Sequence, residues 1–185
     1  MDALPTRLAR SLRLVPDTPA WTEALPVWRE ALRLASPRTW RMNASLEAFL
    51  EAFQPHAPAS RDLMRTLEGC RRVALMAVTI GPSLEERAGL RFCEGRPFAG
   101  YLLDRMGSHL AEEAMRGLHA GVRREAQAAG GRATRRYSPG YGDFPLQAQE
   151  PFLRLVGHGL PGLTLTSGWM LRPEKSVTAV CGLSD

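Results

Sequence analysis

A continuous apolar run, Val73-Ala74-Leu75-Met76-Ala77-Val78, sits inside Arg72 to Thr79 and shows no polar alternation. A run of that length predicts a central strand buried on both faces. It stops at Ile80-Gly81-Pro82, after which Ser83 and Glu86 have the S-x-x-E spacing of a capping box and open a short helix through about Leu90. The junction of strand end and helix amides is either a plain connection or a place for an anion. A helix over Ser60 to Glu68, ended by Gly69, precedes the strand. From Phe98 to Ala129 the apolar residues Leu103, Met106, Leu110, Ala114, Leu118 and Val122 recur at helical spacing, predicting one long helix closed by Gly130-Gly131. Small residues beside that face, among them Gly107, Ala111, Gly117 and Gly121, predict close packing of this helix. Arg132 to Tyr137 then reads as a strand, Leu146 to Val156 as a helix, and Leu163 to Ser167 and Ser176 to Cys181 as two final strands. This order predicts an α+β fold with a small, largely antiparallel twisted sheet packed with helices. The absence of a helix between the last two strands disfavours a doubly wound parallel sheet.

Prolines at 5, 16, 19, 26, 37, 55 and 58 divide Met1 to Ala59, so only short helices are predicted there, over Val27 to Ala35 and Leu46 to Phe53. Residues 1–59 are therefore expected to form a helical N-terminal appendage packed on a main domain of residues 60–185. The aromatics of the appendage either cap the core or serve as a partner-binding arm.

At 185 residues the chain fits one domain with such an appendage. The net charge of +5 is scattered in ones and twos beside acids, without a basic run, and all of it but Lys175 is arginine. That pattern argues against a nucleic-acid partner. The three cysteines, Cys70, Cys93 and Cys181, are far apart in apolar surroundings, which points to reduced thiols and a cytoplasmic protein. No stretch has membrane-spanning length, and the N-terminal arginines lack the apolar core and cleavage site of a secretory signal. The nucleophile elbow, P-loop, dinucleotide and H-E-x-x-H signatures are all absent, and the histidines at 56, 109, 119 and 158 stand apart from any ligand-spaced acid or cysteine. No metal site or self-sufficient catalytic set is expected.

The chemistry gathers at Arg136-Tyr137-Ser138-Pro139-Gly140-Tyr141-Gly142-Asp143-Phe144-Pro145. Pro139-Gly140 suits the central positions of a type II turn, since proline presets φ at the first and glycine accepts positive φ at the second. Gly142 permits a close approach to the backbone. The segment is either a tight surface corner or, with Arg136, Tyr141 and Asp143 around it, a grip for a small charged ligand. On the long helix, Tyr101, Arg105, Ser108, Glu112, Met115 and His119 share one side at 100° per residue. Spacing alone assigns Glu112 to an exposed ion pair with Arg116.

These residues resemble the activation domain of cobalamin-dependent methionine synthase, and more closely the short free-standing relatives of that domain, over about Arg72 to Gly182. Arg136-x-x-x-Gly140-Tyr141 is similar to the family's S-adenosylmethionine-binding motif, and Gly142-Asp143-Phe144-Pro145 resembles its continuation in the free-standing members. His109-Leu110-Ala111-Glu112, with Leu118-His119 and Val122-Arg123-Arg124, resembles the family helix whose acidic ligand-binding residue falls on Glu112. Gly162-Leu163, Leu165-Thr166, Met170, Pro173 and Ser176-Val177 follow the C-terminal strand pair and look structural. The resemblance implies an activation subunit acting in trans in methionine biosynthesis, an accessory part of the synthase rather than an enzyme by itself. Such a subunit binds S-adenosylmethionine through Glu112, Arg136, Ser138, Gly140 and Tyr141 for reductive methylation of oxidised cobalamin. The cobalamin (vitamin B12) is carried by the synthase core, and the electron comes from a flavodoxin-like donor. In the implied pose Arg136 pairs with the ligand carboxylate, Glu112 offsets its positive charge, and the turn offers backbone groups near Ser138 and the ring of Tyr141 to the adenosine. Where the family has an acid, this chain reads Thr166-Ser167-Gly168, and it stops at Asp185 before the family's tyrosine-bearing segment. A docking module for a corrinoid protein that no longer binds S-adenosylmethionine is the alternative.

Overall fold

The computed structural model describes residues 3 to 184; Met1, Asp2 and Asp185, which bound the two expected segments, lie outside the described residues. The chain opens with α1 (Thr6–Ser11) and α2 (Pro19–Leu34). It continues through β1 (Arg38–Ser45), α3 (Leu46–Ala52), α4 (His56–Ala59), α5 (Arg61–Thr66) and β2 (Arg72–Thr79). Next come α6 (Ser83–Cys93), α7 (Pro97–Ala128) and β3 (Arg132–Ala133), then the proline-glycine turn, a single 3-10 turn over Leu146–Ala148 and α8 (Gln149–Val156). A small hairpin of β4 (Thr164–Leu165) and β5 (Leu171–Arg172) leads into β6 (Ser176–Ser184). The main sheet has four strands in the order β1-β2-β6-β3, and every pairing is antiparallel. This is the α+β architecture with a small antiparallel sheet that the order of elements predicts.

β2 lies between β1 and β6, with Leu75 opposite Val180, and seven of its eight residues are buried. Alternate side chains leave on opposite faces of a strand. Val73 and Leu75 pack with Phe49, Phe53, Leu63 and Phe152 from α3, α5, α8 and the α3 end. Ala74, Met76 and Val78 join Ala179 and Cys181 of β6 under Met115 and Val122 of α7. Each fully buried Leu, Phe or Met contributes roughly 1.5–3 kcal/mol, so the double cover explains why this strand carries no polar alternation. A further cluster ties α1 and α2 to α6 and the first turns of α7 through Leu8, Trp28, Leu84, Leu102 and Met106.

The structure departs from the sequence expectation in several places. The segment before residue 60 is not wholly helical, because β1 pairs along its whole length with β2 and forms one edge of the sheet. Its signal is a period-two alternation, Trp40, Met42 and Ala44 packing inward against polar Arg41 and Asn43. α2 starts at Pro19, capped by Thr18 accepting from the Trp21 amide, and runs through Pro26. Burial of Ala24, Val27, Trp28 and Ala31 outweighs the hydrogen bond that an interior proline forfeits. Ser83 and Glu86 form no capping box: Pro82 occupies the cap position, which puts Ser83 inside the helix. β3 is only Arg132–Ala133, β5 was unforeseen, and β6 extends to Ser184.

α7 is one long helix as expected, but its buried line is Leu103, Met106, Gly107, Ala111, Met115 and Val122, whereas Leu110, Ala114 and Leu118 are half-buried. The small residues set this rotation. A Cβ on Gly107 would stand 3.2 Å from Cγ of Lys175, so the glycine leaves room for the Lys175 side chain against the helix just before β6. Gly117 and Gly121 face open space, and nothing in the structure explains them. Met115→Ala is expected to cost about 2–5 kcal/mol, and Leu110→Ala clearly less; urea unfolding of the two variants distinguishes the observed face from the periodic one.

Candidate functional site

After β3 the chain stays beside β6 through a bridge at Tyr137, whose amide donates to the Val180 carbonyl at 2.7 Å and whose carbonyl accepts from the Val180 amide at 2.8 Å. The turn follows at once. The Tyr141 amide donates to the Ser138 carbonyl at 3.2 Å across Pro139 and Gly140, and Gly140 has φ +89°, as a type II turn requires. A second turn closes when the Phe144 amide donates to the Tyr141 carbonyl at 3.0 Å, and the Gly140 amide donates to the Phe144 carbonyl at 2.8 Å. The buried ring of Phe144, 6.4 Å from that of Tyr137, pins this double turn to the core.

Each glycine has a distinct reason. A Cβ on Gly142 would lie 2.8 Å from Oδ2 of Asp62 and closer still to the Tyr137 hydroxyl, the close approach expected of this position. A Cβ on Gly140 would press on Cδ1 of Leu146 at 3.2 Å. Asp143 has no ligand-facing role. Its carboxylate accepts from the Ser60 hydroxyl at 2.5 Å and from the Arg61 amide at 2.7 Å, which fastens the turn to the first residues of α5. The hydrogen bond from Ser60, opposed by partial desolvation and aided by the Arg61 and Asp62 amides, holds the Asp143 pKa below its usual value.

Glu112 does not pair with Arg116. Its Oε2 meets Nη2 of Arg136 at 2.5 Å, while Arg116 pairs with Glu113. The ion pair joins α7 to the residue that launches the turn. Nη1 of the same guanidinium is buried and has no hydrogen-bond partner among the described residues. Two turns further along α7, His119 Nε2 lies 2.9 Å from the Thr134 carbonyl. Burial, the largest influence, lowers the His119 pKa, so a neutral ring donates this bond and steadies the strand leading to Arg136. The side of α7 assembled from spacing is thus divided: Met115 is buried, Ser108 accepts from Lys175, Glu112 turns to Arg136 and Tyr101 is exposed.

These groups border a cavity of about 330 Å³. Glu112 and Arg136 stand on one wall, Ser138, Pro139 and Tyr141 supply the turn, and Leu146 and Gln149 enter from the α8 side. Residues 169–171 of the β4–β5 hairpin, Glu174 and residues 176–178 complete the lining. Four of the five expected binding residues, Glu112, Arg136, Ser138 and Tyr141, line this space; Gly140 shapes it through Leu146. Met170, Ser176 and Val177, expected to be structural, line it as well. Gln149, Trp169, Glu174 and Thr178 were not singled out in the sequence. Trp169, with φ +58°, sits at the tip of a two-residue-strand hairpin that local pattern does not reveal. Three contacts hold the hairpin exit: Lys175 Nζ to Asp104 at 2.5 Å, the Glu174 amide to Glu85 at 2.6 Å, and Arg172 to Glu174 at 3.1 Å. Among the described residues no cluster of His, Cys, Asp or Glu is arranged to hold a metal, and no helix is long and apolar enough to cross a membrane.

No protein-family model matches this chain, and no curated protein matches it significantly. Among solved structures it is similar to a crystal structure of the MetH reactivation domain bound to AdoHcy. The superposition has a TM-score of 0.60 and covers 98% of this chain and 70% of that one at 15% identity. The class defined by this likeness is a fold, the α+β fold of the reactivation domain, here with its four-stranded antiparallel sheet and flanking helices.

A pH prediction follows from Asp143. Its folded pKa lies below the unfolded value, so the stability it contributes is present above the unfolded carboxyl range and is lost as pH falls through the folded value. Asp143→Asn is expected to be less stable at neutral pH and to show a smaller decline in urea midpoint than the wild type between about pH 5 and about pH 2.

Proposed function

We propose that the cavity binds S-adenosylmethionine and that the chain acts in trans as an activation subunit for a cobalamin-dependent methionine synthase core in the cytoplasm. One observation carries this reading: Arg136, which lines the cavity beside the type II turn, uses one nitrogen on Glu112 and keeps a second, buried nitrogen without a hydrogen-bond partner among the described residues. A buried donor without an acceptor is costly, and a ligand carboxylate would satisfy it. Glu112 then faces the ammonium and sulfonium charges. The cavity volume of about 330 Å³ is within the range of small-molecule sites, about 300–1,000 Å³. Support also comes from the neighbour of like fold, which holds AdoHcy.

In this role the chain's residues position and do not react. Arg136 and Glu112 fix the amino-acid end, Ser138 and Tyr141 flank the adenosine, and the S-methyl group is left toward the open side, where Tyr141 is 65% and Met170 57% exposed. Cobalamin on the synthase core, with a flavodoxin-like electron donor, would supply the reductive methylation chemistry, while this chain's Glu112, Arg136, Ser138 and Tyr141 would hold the methyl donor. Fixing the donor group in line is the contribution expected of such a subunit. A second reading is favoured by one feature, the direct Glu112–Arg136 contact, in which the two charges already offset each other. On that reading the chain docks on a corrinoid protein without binding S-adenosylmethionine.

Titration calorimetry separates the two. Binding of S-adenosylmethionine by the wild type, weakened roughly tenfold or more in Arg136→Ala through loss of a charged hydrogen bond, is the expected result; no heat at millimolar ligand leaves the docking reading. The activation role is tested with a synthase core lacking its own activation domain and oxidised to cob(II)alamin, supplied with an electron donor and S-adenosylmethionine. Turnover is expected to return only when the chain is added.

A further inference from the structure

Among the described residues five polar or charged side chains are buried: Ser60, Thr79, Gln149, Lys175 and Thr178. Buried polar groups call for a physical reason. Ser60 donates to Asp143 and accepts from the Leu63 amide, Thr79 accepts from the Gly81 amide and from Ser176, and Lys175 pairs with Asp104. Those three serve the fold. Gln149, 5% exposed, and Thr178, 1% exposed, bond to each other at 2.7 Å and both face the cavity.

The direction of that bond matters. The Thr178 hydroxyl donates to Gln149 Oε1, which fixes the carboxamide and leaves Nε2 as a donor without an acceptor among the described residues. Oε1 keeps a second lone pair. The cavity lining therefore presents one donor and one acceptor side by side on the Gln149 carboxamide, and Leu146, Tyr141 and Val177 line the same space. A glutamine carboxamide held this way matches the N6/N7 edge of adenine, donating to N7 and accepting from the N6 amino group. Hypoxanthine places a carbonyl oxygen at position 6, so acceptor would meet acceptor.

Resting on the S-adenosylmethionine reading, we infer that Gln149, oriented by Thr178, is an adenine-reading subsite that makes the cavity select adenosyl over other purine nucleosyl ligands. The test is calorimetric titration of the full chain with S-adenosylhomocysteine and with S-inosylhomocysteine. The wild type is expected to prefer the adenosyl compound by roughly 10- to 100-fold, the range of a bidentate base-edge contact. Gln149→Met, of similar volume, should bring the two affinities near parity, and Thr178→Val, which frees the carboxamide to rotate, should narrow the gap. Circular dichroism melting establishes that the variants fold; should Gln149→Met not fold, the wild-type pair and Thr178→Val decide. Equal binding of both compounds by the wild type overturns this inference alone, as does an unchanged preference in folded Gln149→Met. Binding of neither compound overturns the S-adenosylmethionine reading and this inference with it.

Discussion

The two inner strands, β2 and β6, are the constraint on which the rest of the molecule depends. Eight residue pairs join them, from Arg72 opposite Leu183 to Thr79 opposite Ser176, and both faces of the pair are covered. A strand pair covered on both sides fixes register strongly, since a slip of one residue exchanges the two faces. That register places Val180 where Tyr137 bridges to it, and Tyr137 is the last residue before the turn. It also sets Ser176 to Thr178 along the cavity wall. The position of the site is thus inherited from core packing several residues away.

Around that frame the candidate site is a meeting of four separate chain segments. α7 brings Glu112, the bridge residue's neighbour brings Arg136, α8 brings Gln149 and β6 brings Thr178. Each is held by something outside the cavity. Met115 and Val122 bury α7 on the sheet, Phe144 and Asp143 fasten the turn to the core and to α5, and Lys175 ties the start of β6 to Asp104. Side chains positioned by rigid elements can hold a ligand geometry at small entropic cost.

The sequence was most legible where a single local rule applied. The two-sided burial of β2, the length of α7 and the Pro139-Gly140 type II turn each follow from a pattern within a few residues, and each appears at its expected place. It was least legible where two rules competed. The alternation in Trp40 to Ala44 was obscured by surrounding prolines, and Pro26 sits inside a helix that propensity alone would end. Ser83 has the spacing of a cap yet lies within the helix, because Pro82 takes the position before it.

By itself, then, the sequence determined the α+β class, the core strand, the long helix and the constrained turn, because backbone preference and apolar periodicity act over short distances. Only tertiary structure decided that Glu112 meets Arg136 rather than Arg116, that Asp143 accepts from the first amides of α5, and that Gln149 and Thr178 bond to each other in the cavity lining. Those partners lie 24, 82 and 29 residues apart. Charge and hydrogen-bond pairing at such separations depends on which faces the sheet and α7 turn toward each other, and that is settled by packing, with Gly107 and Met115 fixing the rotation of the helix.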